Sequence, residues 1–365
     1  MENIFPKFRA AAVQAAPVYL DRDATTDKAC DFIRTASENG ANIVVFPEAF
    51  IPGYPHWVWF DCPGNPDRFF ARLVKNSVAI PSLTTQKLSR VAREAKIYVA
   101  IGINESSPHS FGEIFNTALL IGSDGQIIGK HRKIIPTYAE KLVWSFGDGN
   151  SLRVYDTELG KIGMLNCGEN TNSLARYALI AQSEQLHIST YPAFPQKGRY
   201  DLKRAIEIRA AAHSFEGKVF NIVASSLVSE EMKQLLGDTP EKLEMLNSAG
   251  AGFTGIMGPD GAVIGGPLPD AEEGIAYADI DLEKSLNWKL FHDIAGNYNR
   301  FDILSLNINR QLRRPIVFEP RIAEAPDLFR SKQIQELKDK CNEIQSDDLR
   351  SEILDMIGSL PNLPA

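Results

Sequence analysis

The sequence predicts an α/β fold in which two mixed β-sheets stack face to face and are flanked by helices, and two observations carry that reading. Short β-branched and apolar runs alternate with longer stretches of helical periodicity along most of the chain. The run "GSDGQIIG" at Gly122–Gly129 returns as "GPDGAVIG" at Gly258–Gly265, each an Asp-Gly turn between apolar residues and hence a hairpin signal. One such echo at this distance is no solenoid. It points to two related halves, each a sheet with helices outside.

The runs that read as strands are Arg9–Gln14, Ile43–Phe46, Ile97–Ile103, Thr117–Ile121, Ile127–Gly129, Ile162–Asn166, His187–Thr190, Val219–Ser225, Gly252–Met257 and Ala262–Gly265. Helical spacing covers Asp21–Glu38, Pro66–Ala95, Ser173–Ser183 and Tyr200–Glu216. After Leu312 the chain becomes Pro-punctuated and then charged, with spaced apolar residues as in one or two peripheral helices. We therefore expect a chemical domain over 1–312 and an extension over 313–365 that packs against another subunit or is partly flexible.

Composition narrows the function classes. The chain has 365 residues, within reach of one large α/β domain, and its net charge of -7 argues against a nucleic-acid-binding surface. Cys30, Cys62, Cys167 and Cys341 form no CxxC pair, so neither a disulfide framework nor a zinc ribbon is indicated. No apolar run approaches the length of a membrane span, and the start "MENIFPKFRAAAVQAAPV" lacks the pattern of a signal peptide. A cytoplasmic protein without a membrane partner is expected.

Cys167 has the most suggestive setting. It follows the strand-like "KIGMLN" and precedes "SLARYALIAQS", where Leu174, Tyr177, Ala178 and Ala181 share a helical face and Thr171 or Asn172 can cap. A thiol at a strand-to-helix turn lies near the positive end of the helix dipole, which favours the reactive thiolate. The other cysteines lack such surroundings and read as small hydrophobes.

A thiol nucleophile needs a base. Among His56, His109, His131, His187, His213 and His292, the best placed are His131 and His187, and no histidine spacing marks a metal site. A carboxylate is the other option. Glu48, in "ANIVVFPEAFIPGYP", stands just past an apolar strand, at the end of the sheet where α/β folds collect ligands, and partial burial there would raise its pKa toward a useful value. In "GKHRK", Lys133 aimed into a dry pocket would stabilise developing negative charge, although Lys130, Arg132 and Lys133 also suit a solvated edge strand. Glu140, in "PTYAEKLVWSFGDG", could orient that lysine or the substrate. Tyr54, Trp57, Trp59 and Phe60 could line an entrance near Glu48. "GAGFTG" at Gly250–Gly255 matches a dinucleotide fingerprint, but it runs into a hairpin and lacks the helix that a phosphate cradle needs.

These blocks together resemble the nitrilase branch of the carbon-nitrogen hydrolase superfamily. The match lies in "FPEAFIPGYP", "GKHRKIIPTYAEKLVW" and "NCGENTNSLARYALIAQSEQLHISTYP", with the opening "AAVQAAPV" and the looser "EGIAYADIDL", over roughly residues 8–310. The resemblance implies an αββα sandwich bearing a Glu-Lys-Cys triad: Glu48 as general base, Cys167 as nucleophile, Lys133 as stabiliser of the tetrahedral species and Glu140 as a fourth polar member. It implies nitrile hydrolysis through a covalent thioimidate and thioester, with no cofactor or metal, and a homo-oligomer built from dimers that can extend into a spiral. Gly168 with Pro192, Ala193 and Phe194 is expected to join Tyr54 and Trp57 in lining the substrate pocket. Two positions depart from the pattern: Gly168 stands where many nitrilases have Trp, and "NYNRFD" puts Asn297 and Phe301 where His and Pro are frequent. An amidase or cyanide-hydrolysing enzyme would use the same triad, and a non-catalytic assembly protein could keep the sandwich alone.

Overall fold

The computed structural model describes residues 4–61, 69–194, 200–250 and 252–312, with isolated positions beyond. The chain divides into two units, Met1–Arg313 and Arg314–Ala365. The helices expected late in the second unit fall largely outside the described residues, as do Cys62, Cys341 and Pro66.

Twelve strands form among the described residues: β1 Lys7–Gln14, β2 Ile43–Val45, β3 Tyr98–Ser106, β4 Ile114–Ile121, β5 Ile127–Arg132, β6 Tyr155–Thr157, β7 Gly160–Asn166, β8 Leu186–Tyr191, β9 Phe220–Ser225, β10 Gly255–Met257, β11 Val263–Gly265 and β12 Gly274–Asp281. The helices are α1 Arg22–Glu38, α2 Phe70–Lys75, α3 Leu83–Ala95, α4 Ser173–Ile180, α5 Leu202–Gly217, α6 Glu230–Leu236, α7 Pro240–Asn247 and α8 Lys284–His292.

The strands make two six-stranded sheets, ordered β12-β1-β2-β3-β4-β5 and β11-β10-β9-β8-β7-β6. Each has a parallel trio, β1-β2-β3 or β7-β8-β9, extended on one side by an antiparallel hairpin and on the other by one antiparallel edge strand. The two Asp-Gly motifs are those hairpins, β4-β5 and β10-β11. They are closed by Gly125 and Gly261 at φ +81° and +80°, values open to glycine at little cost. The internal echo in the sequence therefore marks a real correspondence between halves.

Side-chain alternation builds the layers. Ala10, Ala12, Ile43 and Val45 face Ile162, Met164, Leu186 and Ile188 in a core between the sheets. Their neighbours Ala11, Val13 and Val44 point outward onto Ala29, Ile33, Leu88 and Val91 of α1 and α3. On the second sheet, Leu165 packs with Ala175, Ala178 and Leu179 of α4, and Val223 with Ile206 and Ala210 of α5. Both sheets are thus covered on both faces, which is why their strands read as nearly continuous apolar runs.

Several boundaries differ from the sequence expectation. The single helix expected over Pro66–Ala95 is interrupted: α2 ends at Lys75, Val78 makes a bridge to Glu105, and α3 restarts after Pro81 under a Ser82/Thr85 capping box. Proline and the cap oppose helix continuation and set a new start. The edge strands β6 and β12 were not expected as strands, nor were α6, α7 and α8 as helices. β6 is only three residues long, and β12 alternates between buried and more exposed positions.

Gly102 in β3 is a local necessity. A Cβ there would lie 2.3 Å from the Pro47 carbonyl oxygen and 2.4 Å from the Ala49 nitrogen, so the backbone on either side of Glu48 crosses β3 only because the side chain is missing. Gly102→Ala is predicted to cost about 1–3 kcal/mol by overpacking. Thermal denaturation checks this, and an unchanged melting temperature would contradict the crossing.

Candidate active site

Three chain segments bring the acidic, basic and thiol groups together. Beyond β2 the ladder continues for one residue, Phe46 N to Ala100 O at 2.8 Å, before the chain turns through Ala49 at φ +49°. Asn104 on β3 holds the loop after Glu48, donating to the Gly53 and Ile51 carbonyls at 3.0 and 3.3 Å while accepting from Trp144 Nε1 at 2.8 Å. Lys133 follows β5, its N–H donating to Asn116 O at 2.8 Å. Alternation on β5 separates its cations: Lys130 and Arg132 pair with Glu105 on one face, while His131 and Lys133 are buried on the other. The solvated-edge reading therefore fits only half of "GKHRK".

Cys167 directly follows β7 and opens a 3-10 turn, Cys167–Thr171, at φ +46°. Asn166 and Glu169 cap this turn reciprocally. α4 begins afterwards, capped by Asn172, whose side chain accepts from Leu174 N and Ala175 N.

The ammonium of Lys133 lies 2.8 Å from Glu48 Oε1 and 2.7 Å from Glu140 Oε2, with all three side chains buried. Asn116 Nδ2 donates to Glu48 Oε1 at 2.5 Å. Glu140 accepts further from Tyr54 OH at 2.8 Å and Thr137 N at 2.7 Å, and Tyr54 OH accepts from Trp59 Nε1 at 2.8 Å. Among the described residues Glu48 Oε2 is buried without a partner. One carboxylate oxygen of Glu48 is thus fixed by the lysine and Asn116, and the other is left to exchange a proton.

Burial raises the Glu48 carboxyl to about 7, against the pull of Lys133 and with help from the negative charge of Glu140. For Lys133, burial alone would favour the neutral amine, but Glu140 and Glu48 hold its pKa well above the usual lysine value. The partly exposed Cys167 thiol is pushed up by desolvation and by Glu48, with Lys133 opposing. The charges of Glu48, Lys133 and Glu140 all act on the sulfur. The helix-end setting expected to favour a thiolate is not what the sulfur has: the 3-10 turn separates Cys167 from α4, and desolvation, then the Glu48 charge, pushes the thiol up rather than down.

Neither histidine considered as a partner faces the sulfur. His131 spans Glu169 Oε2 at 2.9 Å and Ser151 O at 3.3 Å, while His187 spans Glu184 Oε1 at 2.7 Å and Asn170 Oδ1 at 2.9 Å. Glu184, His187 and His213 could hold a metal ion. Each ring hydrogen-bonds to Glu184 at 2.7 Å, and His213 Nδ1 is buried without a partner among the described residues. Tyr54 supports Glu140, and Trp57 packs on Phe69 with ring centroids 5.4 Å apart. Pro192, Ala193 and Phe194 follow β8. The Ala193 carbonyl contacts His56 Nε2 at 2.8 Å, and Phe194 meets Trp59 edge-on at 4.5 Å. Gly168 lies against Thr137, whose Oγ1 would be 2.8 Å from an added Cβ. "GAGFTG" leads into β10, and no helix follows it.

Sequence reasoning missed Asn116 and Glu169. Asn116 stood out as a polar residue inside the apolar run "IFNTALLI", and Glu169 as the third residue of a capping box begun by Asn166.

A family model described as carbon-nitrogen hydrolase matches residues 9–290. The chain is 40% identical over 316 residues to a nitrilase of Bacillus sp. (strain OxB-1), covering 86% of this chain and 91% of that one. It is 36% identical over 314 residues to an aliphatic nitrilase of Rhodococcus rhodochrous, covering 85% and 84%. The crystal structure of a carbon-nitrogen hydrolase from Helicobacter pylori G27 shares the fold, with a TM-score of 0.62 at 20% identity over 78% of this chain and 93% of that one.

Proposed function

Because the chain belongs to the nitrilase branch of the carbon-nitrogen hydrolase family, we propose that it hydrolyses an organic nitrile to the carboxylic acid and ammonia. Cys167 is the nucleophile, Glu48 the general base, Lys133 the electrostatic stabiliser and Glu140 the group that holds Lys133. The observation carrying this reading is the unpartnered Oε2 of a Glu48 whose other oxygen is held by Lys133 and whose carboxyl is raised to about 7.

The Glu48 carboxylate takes the thiol proton as Cys167 Sγ bonds to the nitrile carbon, and the proton passes to the nitrile nitrogen, giving a thioimidate. Glu48 then deprotonates a water that adds to the same carbon. The nitrogen gains protons and leaves as ammonia, and a thioester remains. A second water cleaves the carbon-sulfur bond, returning the thiol and releasing the acid. Lys133 stabilises the charge that develops in each tetrahedral species, in surroundings where a fixed ammonium acts strongly. None of these steps calls for a metal or organic cofactor.

We further assign Tyr54, Trp57, Gly168, Pro192, Ala193 and Phe194 to the walls around the substrate, Tyr54 and Trp57 from behind. The edge-on contact of Phe194 with Trp59 supports an aromatic surface there. Assembly into a homo-oligomer, with the extension over 313–365 in subunit packing, is supported by large exposed apolar residues on and after α8: Leu290 at 71%, Phe291 at 66%, Ile303 at 66% and Leu304 at 66%. No helix among the described residues is long and apolar enough to cross a membrane. We read a cytoplasmic enzyme, supported by the free thiols of Cys30 and Cys167.

Three predictions follow from this reading. On a panel of nitriles and their corresponding amides, ammonia is released from nitriles, and Cys167→Ala abolishes release while folding is retained; turnover of amides alone would refute the nitrile assignment. The acid limb of kcat/KM reports the free-enzyme base, so activity should rise with pH through about 7 as Glu48 ionises, and a flat profile across that range would remove Glu48 from the role. Light scattering should find an oligomer that Leu290→Asp with Phe291→Asp makes smaller, and a monomeric native protein would refute the assembly.

A further inference from the structure

Glu169 is buried, two residues past the nucleophile, and is used by none of the steps above. Its Oε2 accepts from Asn166 N at 2.9 Å and from His131 Nε2 at 2.9 Å, and its Oε1 accepts from Ile134 N at 2.7 Å. Asn166 immediately precedes Cys167, and Ile134 immediately follows Lys133. The first belongs to the second sheet and the second to the loop leaving β5 of the first sheet. A single carboxylate thus spans the backbones beside the two reacting side chains.

We propose that Glu169 is a positioning residue that clamps the Cys167 turn to the Lys133 loop, so that sulfur and ammonium keep a fixed separation through both halves of the reaction. The proposal rests on the nitrilase reading of Cys167 and Lys133. Charge-assisted bonds are short and directional, and a carboxylate can accept on both oxygens at once, which no neutral side chain of this size can do. Burial would raise the Glu169 carboxyl, but His131 and the backbone donors overcome this and hold it below the usual range, so it stays an acceptor. Both oxygens are occupied, which leaves Glu169 unsuited to be a second base. The clamp also restrains a strained turn, since Cys167 sits at φ +46° where a residue with a side chain is disfavoured.

Glu169→Gln, made in the full chain, tests the clamp. The amide matches the shape but turns one oxygen into a donor that faces the Ile134 or the Asn166 N–H, releasing one of the two loops. The kcat for nitrile hydrolysis should fall about 10- to 100-fold, as expected for a displacement on the order of 1 Å. KM should change little, and alkylation of Cys167 by iodoacetamide, followed by peptide mass spectrometry, should slow in parallel while circular dichroism shows a folded protein. Unchanged kcat and alkylation in folded Glu169→Gln overturns the clamp. So does a raised KM with normal alkylation, which would make Glu169 a substrate contact. If Glu169→Gln does not fold, His131→Asn withdraws one of the three donors and should still lower kcat severalfold at constant KM, and an unaltered kcat there overturns the proposal. Alkylation needs no nitrile turnover: a native protein inactive on nitriles sinks the function, while the alkylation comparison still decides the clamp.

Discussion

The site depends on one buried ammonium shared by two buried carboxylates. Lys133 with Glu48 and Glu140 has more negative than positive charge, away from bulk water, and such a group persists only when donors surround it. Asn116 supplies Glu48, and Tyr54 with Thr137 N supplies Glu140. The deficit falls on Glu48, which retains one bare oxygen and a raised pKa. An unfolded chain would release that proton near 4.5, whereas the folded chain holds it to about 7, so this group withdraws stability as pH climbs between those values. The instability that burial imposes on the carboxylate is what would suit it to the proposed role of base.

Residues of the candidate site come from both sheets, and apolar packing between the sheets does not set their separation to a fraction of an ångström. The inter-sheet core is built mostly from short and branched aliphatic side chains with a few larger ones such as Phe8, Tyr98 and Phe220, and such apolar contact is non-directional. Directional links between sheets are found along the sandwich, as where Tyr155 OH donates to Lys130 O at 2.7 Å, and several lie at the end where the site is. Glu169 joins the Cys167 turn to Ile134 N and His131, Asn166 Nδ2 reaches Asn116 Oδ1 at 3.4 Å, and Ser226 bridges to Ala15. Asn116 therefore contacts both Glu48 and the residue before Cys167. Polar residues clustered at one rim convert a generic sandwich into a defined geometry.

What the sequence made legible followed from periodicity and turn chemistry. The strands of the two trios were apparent because strands covered on both faces read as apolar runs, though not that they run parallel, and the hairpins because Asp-Gly has few other uses between such runs. β6 was hidden by its length, and the split between α2 and α3 by a helical pattern that continues on both sides of Pro81. Glu48, Lys133, Glu140 and Cys167 could be proposed from resemblance and position, but their convergence could not, because it depends on how β2, β5 and β7 end in space. Likewise, the upward push on the Cys167 thiol comes from burial and then from the charge of Glu48, 119 residues away in sequence.

Gly168 shows how a departure from a family pattern can be absorbed locally. Where a larger residue is frequent among nitrilases, the Thr137 side chain of this chain occupies the space, its Oγ1 2.8 Å from where a Cβ would stand. Thr137 also donates its N–H to Glu140 Oε2. The loop that supports Glu140 thus leans directly on the turn that carries Cys167, a close approach that the missing side chain permits. A side chain at 168 would have to move the Thr137 side chain, in the residue whose backbone N–H donates to the carboxylate that holds Lys133, so the absence of a side chain at Gly168 lets the two loops meet this closely.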